Sequence, residues 1–206
     1  MTFGADVDDL FLAVTVISAK LERARDPEYE ENLRRLVPSR QQAHGTRLPD
    51  IRRVARDFVR ENSGLPPDYM LAICDGLWGT TWREERIAAI WILLFHRETT
   101  GAIDWPMLEA WSRDIDNWEL VDQLAGITGR LLQTNPRLHP NVRNLASSRI
   151  AAQRRLAVVT MIIASRDDSW VPGLTAMIER LQNDDDPLVK KAVTWGQNEL
   201  AKRKRG

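Results

Sequence analysis

The sequence is poor in cysteine and in histidine, and this excludes several kinds of chemistry. Cys74 is the only cysteine in 206 residues, so the chain forms no internal disulfide and no Cys-x-x-Cys redox pair. The three histidines, His44, His96 and His139, stand more than forty residues apart, which is not the spacing of a local metal site. We therefore expect no metal and no other cofactor. A lone free cysteine also suits the reducing cytoplasm.

Long apolar runs and a secretory signal are also lacking. The longest apolar run, residues 88–95, is much shorter than the roughly 20 residues that a membrane-spanning helix needs. The chain begins with acidic side chains where a secretory signal would carry basic ones. We therefore expect a cytoplasmic protein without membrane contact.

The chain has no excess of charge of either sign, because Lys+Arg and Asp+Glu both number 29. A protein that binds nucleic acid must then attract phosphate through a local cluster of cations. One candidate cluster is a basic helix near the start, which is equally consistent with a phosphate-facing stripe and with a solvated surface. Its cations are Arg47, Arg52, Arg53 and Arg56.

Strand-like alternation is absent, and apolar residues recur at helical spacing, as in Leu10, Val14, Ile17 and Leu21. Turn-forming residues such as Asp-Asp-Asp-Pro at 184–187 separate these segments. We predict an all-α chain that forms one domain over residues 1–206, because 43% hydrophobic residues suffice for a core of that size. The predicted helices lie near residues 5–25, 27–35, 48–62, 67–77, 83–97, 104–113, 117–134, 138–146, 150–165, 169–182 and 187–203.

A weak internal repeat links three predicted helices that each begin with a cation followed by an alanine. The triplets are Arg86-Ile87-Ala88, Arg155-Leu156-Ala157 and Lys190-Lys191-Ala192. Their offsets, 69 and 35 residues, are close to two periods and one period of a helical repeat of about 35 to 40 residues. The Trp, Gly and Tyr pattern of TPR repeats is missing. The sequence therefore predicts a HEAT-like solenoid, an α-α superhelix that is curved and has a concave groove.

One position departs from this repeat in a way that suggests chemistry. About one period after Arg86, where the repeat predicts a small apolar residue, the sequence has Asp122. Asp122 follows Trp118 by four residues, so both side chains lie on one helix face. A carboxylate beside an indole is typical of a sugar site. The pattern alone favours a salt-bridged aspartate beside a core tryptophan, because such pairs commonly occupy these positions.

Three segments together resemble a known family. Residues 116–122 resemble the signature helix of the AlkD-like DNA alkylation repair family. The segments 153–157, Gln-Arg-Arg-Leu-Ala, and 191–195, Lys-Ala-Val-Thr-Trp, are similar to that family in the same order and at similar spacing. The similarity extends from about Gly45 to Trp195, roughly three quarters of the chain.

This resemblance implies a HEAT-repeat hydrolase of base excision repair. It implies a monofunctional DNA glycosylase that removes cationic N3- or N7-alkylated purines from duplex DNA without base flipping. Asp122 is then the catalytic carboxylate, and Trp118 and Trp195 hold the sugar of the damaged nucleotide. Arg155 is implied as a phosphate contact, with Arg154 as the alternative, because only the Arg-x-Ala spacing distinguishes them.

Lys190 and Lys191, the cations of the third triplet, are further DNA-binding candidates. We expect a monomer whose partner is double-stranded DNA with alkylated purines. An alkylated purine is already cationic, so it leaves without a general acid, and a carboxylate needs only to stabilise the oxocarbenium-like sugar. The alternative from another class is a non-catalytic HEAT-repeat module that binds unusual DNA structures or a protein partner.

Overall fold

The structure is a computed structural model that describes residues 7–203, apart from the side chains of residues 7, 8 and 100. It divides into two compact units, Met1–Ile103 and Asp104–Gly206. The helices of unit 1 are α1 (Val7–Arg23), α2 (Pro27–Leu36), α3 (Leu48–Glu61), α4 (Pro67–Gly79), α5 (Arg83–Phe95) and α6 (Arg97–Ala102). The helices of unit 2 are α7 (Trp105–Arg113), α8 (Trp118–Thr134), α9 (His139–Leu145), α10 (Ala151–Ala164), α11 (Val171–Leu181) and α12 (Pro187–Arg203). Two 3-10 turns, Pro136–Leu138 and Asp168–Trp170, lead into α9 and α11.

The predicted all-α fold of helical-repeat type is confirmed. Residues 7–203 contain no β-strand, only two isolated bridges that join Arg25 to Thr46 and Gln42 to Trp82. No helix in that range is long and apolar enough to cross a membrane. The start of the first predicted helix, at residue 5, and the acidic beginning of the chain lie outside the described residues. The single domain, the curvature and the concave groove stay predictions.

The sequence did not predict α6. The backbone of His96 has φ −90° and ψ 93°, which are not helical values, so α5 ends there. The imidazole Nδ1 of His96 accepts a hydrogen bond from the backbone N–H of Thr99 at 3.4 Å and thereby caps a new helix. Two short helices therefore stand where the apolar periodicity predicted one helix followed by a loop.

A buried acidic residue fixes the loop between α2 and α3 in unit 1. Glu84 is fully buried in the first turn of α5. Its carboxylate accepts hydrogen bonds from the backbone N–H groups of His44, Gly45 and Thr46 at 3.0 to 3.2 Å. Arg83 also binds the carboxylate, with Nη1 3.0 Å from Oε1. The loop is therefore held against the N-terminal end of α5.

The core of unit 1 encloses the only thiol of the chain. Cys74 lies in α4 with no exposed surface, between the buried side chains of Met70 and Leu77 one turn to either side. Burial raises the pKa of the Cys74 thiol well above its usual range, and the charge of Asp75 acts in the same direction. The residue therefore serves as a small apolar side chain in the core.

Unit 2 depends on a close approach between α8 and α10. A Cβ atom at Gly129 of α8 would lie 2.6 Å from Cγ2 of Ile163 of α10, so only glycine permits this spacing. The hydroxyl groups of Thr128 and Thr160 form a hydrogen bond of 2.6 Å across the same interface. Helices α9, α11 and α12 also pack on α10, most of whose residues are buried. Helix α10 is therefore the centre of unit 2.

We expect Gly45→Ala to lower the free energy of unfolding by about 2 kcal/mol or more, as measured by urea denaturation. Gly45 has φ +82°, and a Cβ atom there would lie 2.5 Å from Cβ of Glu30 and 2.8 Å from the carbonyl oxygen of Asp26. Gly79→Ala is the control, because nothing lies within 4 Å of its added Cβ, and it should change stability by less than about 1 kcal/mol. Equal stability of the two variants would contradict this account.

Candidate functional site

The first two turns of α8 carry Trp118 and Asp122. The side chain of Asn117 caps the helix by accepting a hydrogen bond from the backbone N–H of Leu120 at 3.0 Å. Trp118 and Asp122 are four residues apart, so they lie on one face of α8. Trp118 is 41% exposed, and the Asp122 side chain is 22% exposed. An exposed indole therefore lies one turn before a largely enclosed carboxylate.

Arg155 holds this carboxylate. Its Nε donates to Oδ1 of Asp122 at 2.9 Å, and its Nη2 donates to Oδ2 at 2.8 Å, which is the bidentate geometry of a strong pair. Its Nη1 donates to the backbone carbonyl of Leu188 at 2.8 Å. Asp122 belongs to α8, Arg155 to α10 and Leu188 to α12, and each lies in the first or second turn of its helix. One guanidinium group therefore joins the N-terminal ends of three helices.

Burial raises the pKa of Asp122 above the ordinary value for aspartate, although the hydrogen bonds and the charge of Arg155 oppose this shift. The charge of Glu119 makes a further small contribution in the raising direction. Each carboxylate oxygen has two lone pairs, and Arg155 uses one on each oxygen. Asp122 therefore keeps acceptor capacity for a water molecule or for a group of positive charge.

The adjacent arginine binds a different acid. Arg154 donates from Nε and Nη2 to the two carboxylate oxygens of Asp184, at 2.6 and 3.1 Å. Its Nη1 donates to the backbone carbonyl of Ser148 at 2.9 Å. Asp184 lies in the loop before α12, where Asp186 accepts a hydrogen bond from the backbone N–H of Leu188 at 2.8 Å and caps that helix. Arg154 therefore anchors the loop that leads into α12.

Helix α12 presents the other predicted residues. Trp195 is 38% exposed, and its Nε1 donates to Oε1 of Glu199 at 3.3 Å, which restrains the indole ring. Lys190 and Lys191 lie about one turn before Trp195, and both are exposed. Lys190 approaches the carboxylate of Asp185 only at 3.9 Å. Helix α12 therefore carries an exposed indole and two exposed ammonium groups.

The structure brings Asp122 and Arg155 into direct contact, and it directs Arg154 to Asp184. All eight tryptophans lie in the described part of the chain, and Trp118 and Trp195 are the most exposed of them. Sequence reasoning missed two members of the site, the carbonyl of Leu188 and the carboxylate of Asp184. A backbone carbonyl has no sequence signal, and the Asp-Asp-Asp-Pro segment indicated only a turn. The catalytic and DNA-binding roles of the predicted residues stay predictions.

The basic helix of unit 1 makes contacts within its own unit. Arg52 lies over the ring of Trp91 at 4.2 Å, and Arg56 lies over the ring of Phe95 at 5.2 Å. The arginines at positions 47 and 53 form salt bridges with aspartates. Each of these four arginines therefore has a partner within unit 1, and the phosphate-facing stripe stays a prediction. Within residues 7–203, no three His, Cys, Asp or Glu side chains are placed to hold a metal ion.

These features define an all-helical protein with a largely enclosed carboxylate, a paired arginine and two exposed indoles. The family model described as DNA alkylation repair enzyme matches residues 17–206. The chain belongs to this family, as its resemblance to AlkD-like proteins predicted, and its general function is the repair of alkylated DNA. A search of curated proteins finds no match to the chain.

We expect Arg155→Gln to move the titration of Asp122 to higher pH. The variant removes the hydrogen bonds and the charge that lower the pKa of Asp122, whereas the burial that raises it remains. The titration is measured by the NMR shift of the side-chain carboxyl carbon of Asp122. Arg154→Gln is the matched control, and it should leave this titration in place because Arg154 binds Asp184. A shift to lower pH in Arg155→Gln would contradict the assigned pair.

Proposed function

We propose that the protein is a monofunctional DNA glycosylase that hydrolyses the N-glycosidic bond of cationic N3- and N7-alkylated purines in duplex DNA without base flipping. The observation that carries this proposal is the Asp122 carboxylate, which Arg155 holds by two hydrogen bonds one helical turn after the exposed Trp118. A salt bridge with only a structural role needs no exposed indole beside it. Tryptophan is enriched at binding interfaces, because its indole joins a large apolar surface to a polar N–H group.

The proposed reaction needs few catalytic groups. An alkylated purine carries its own positive charge, so the base departs as a neutral leaving group and no general acid is needed. As the glycosidic bond breaks, positive charge develops on the deoxyribose, and a fixed carboxylate lowers the energy of that transition state. The unused lone pairs of Asp122 are available to orient the attacking water. Asp122 is therefore the catalytic residue in this proposal.

The two exposed indoles would contact the sugar. An aromatic face attracts a developing cation by about 0.5 to 2 kcal/mol, so Trp118 and Trp195 add to the effect of the carboxylate. The hydrogen bond from Trp195 to Glu199 restrains its ring before a substrate arrives, which reduces the entropy lost on binding. The indoles of this proposal bind the substrate and also stabilise its transition state.

Arg155 positions Asp122 in this proposal, and it retains two N–H groups for a phosphate. A guanidinium group has five N–H donors, and three of them bind Asp122 and Leu188. The remaining two are available to a phosphate oxygen that approaches the 7% of the side chain that is exposed. Lys190 and Lys191 are better exposed and would supply most of the phosphate neutralisation.

We expect Asp122→Asn to release 7-methylguanine from alkylated duplex DNA at least about a hundredfold more slowly than the parent protein, because the negative charge is lost. The amide oxygen still accepts a hydrogen bond from Arg155, so the fold and most of the DNA affinity should remain. Base release is measured by chromatography, and the fold by circular dichroism.

Asp185→Asn is the matched control for this experiment. The Asp185 carboxylate is fully exposed, so the same change there should leave excision intact. Uracil should not be released by either protein, because a neutral base needs a protonating acid. Equal excision by Asp122→Asn and the parent would remove Asp122 from the catalytic role. A parent protein without any excision would favour the non-catalytic binding module.

The second experiment on this function measures the salt dependence of DNA binding. We expect the double variant Lys190→Ala with Lys191→Ala to bind duplex DNA more weakly and with a salt slope smaller by about 2, because each lysine that contacts phosphate displaces about one counterion. Lys20→Ala is the control, since Lys20 lies in unit 1 and pairs with Glu61 at 3.3 Å. An unchanged slope in the double variant would exclude both lysines from the DNA contact.

A further inference from the structure

A groove with a cationic lining lies between α9 and α11 of unit 2, on helices that carry none of the proposed catalytic residues. Its volume is about 370 Å³. One side is formed by a single face of α9, whose lining residues are four positions apart, and the other by a face of α11 that recurs every three or four residues. The lining consists of His139, Arg143, Gly173, Ala176, Met177 and Arg180.

The arginines of this groove differ from those of the Asp122 site. Arg154 and Arg155 each bind a carboxylate, whereas Arg143 and Arg180 form no salt bridge within residues 104–203. Arg180 donates instead to the neutral hydroxyl of Ser147. Residues 123–166 contain seven arginines and no aspartate or glutamate. The groove therefore keeps positive charge that no carboxylate of its lining neutralises, and such a lining attracts anions.

The imidazole of His139 completes the polar lining. Its ring meets the ring of Trp170 edge-on, with the centroids 5.5 Å apart and an interplanar angle of 71°. Its Nε2 lies 3.7 Å from the position that a Cβ atom would take at Gly173, so the imidazole lies against α11. Burial lowers the pKa of His139, and the charge of Arg143 adds to the effect. A neutral imidazole near pH 7 can donate one N–H bond to an anion.

The shape of the groove limits the kind of anion. Its volume exceeds what a bare phosphate ion occupies, and Ala176 and Met177 add apolar lining on the α11 side. A suitable ligand therefore combines a phosphate with an apolar body. Arginine is well suited to phosphate, because its planar N–H groups bind two oxygens at once.

We propose that this groove binds a nucleotide through its phosphate monoester, with the phosphate between Arg143 and Arg180 and the nucleoside against Ala176 and Met177. The ligand is a free nucleoside monophosphate or the 5′-phosphorylated end of a DNA strand, because both present the same group. This site goes beyond the glycosylase proposal and does not depend on it.

The test is an NMR titration of the full chain with adenosine 5′-monophosphate, which follows the imidazole signals of His139. We expect a saturable shift. Ala176→Glu places a carboxylate in the groove and should raise the Kd at least about tenfold, whereas Ala176→Gln, of equal size, should change it much less. Ala176 is exposed on α11, so both variants should fold.

The same titration is repeated with arginine variants. Arg143→Ala and Arg180→Ala should each raise the Kd about tenfold, because each removes a charge-assisted hydrogen bond to the phosphate. Arg130→Ala is the matched control, since Arg130 is exposed on α8 and lies outside the groove lining. Excision of 7-methylguanine by Ala176→Glu should equal that of the parent, which separates this site from the catalytic one.

Several results would overturn the proposal. These are the absence of a saturable shift, equal affinity of Ala176→Glu and Ala176→Gln, and binding of inorganic phosphate or phosphoserine as tight as that of the nucleotide. Competition by short oligonucleotides with and without a 5′ phosphate then distinguishes a free nucleoside monophosphate from the 5′-phosphorylated end of a DNA strand. Displacement by the phosphorylated strand alone supports a DNA end as the ligand, and displacement by neither supports the free nucleotide.

Discussion

The guanidinium group of Arg155 is the contact on which the geometry of the site depends. It binds both oxygens of Asp122 and the carbonyl of Leu188, so the positions of α8, α10 and α12 are linked through one planar group. Arg155 is 7% exposed, and a buried charge that loses its partner costs about 3 to 5 kcal/mol. The carboxylate, the arginine and the start of α12 therefore stabilise one another.

Two consecutive arginines each fix the start of α12 through a different contact. Neighbouring residues of a helix point about 100° apart, so Arg154 and Arg155 reach different partners from adjacent positions. Arg155 binds the first turn of α12 directly, and Arg154 binds the preceding loop through Asp184. Trp195, two turns further along α12, is therefore carried on a helix whose start is fixed at two points.

The part of the structure that follows from local pattern was predictable from the sequence. Helix bounds follow from apolar periodicity and turn residues, and the shared face of Trp118 and Asp122 follows from their four-residue spacing. The pairing of Asp122 with Arg155 spans 33 residues and the close approach at Gly129 joins α8 to α10, and no local pattern encodes either contact. The His96 cap that begins α6 was missed for a different reason, because histidine is not a common cap residue.

Cys74 is buried in a protein that repairs DNA damaged by electrophilic alkylating agents. Methylating agents attack soft nucleophiles, and the thiolate is the softest and most reactive that a protein offers. Cys74 is closed off within α4, and its raised pKa keeps it in the less reactive protonated form. The agents that alkylate DNA therefore find no accessible cysteine thiol on this protein.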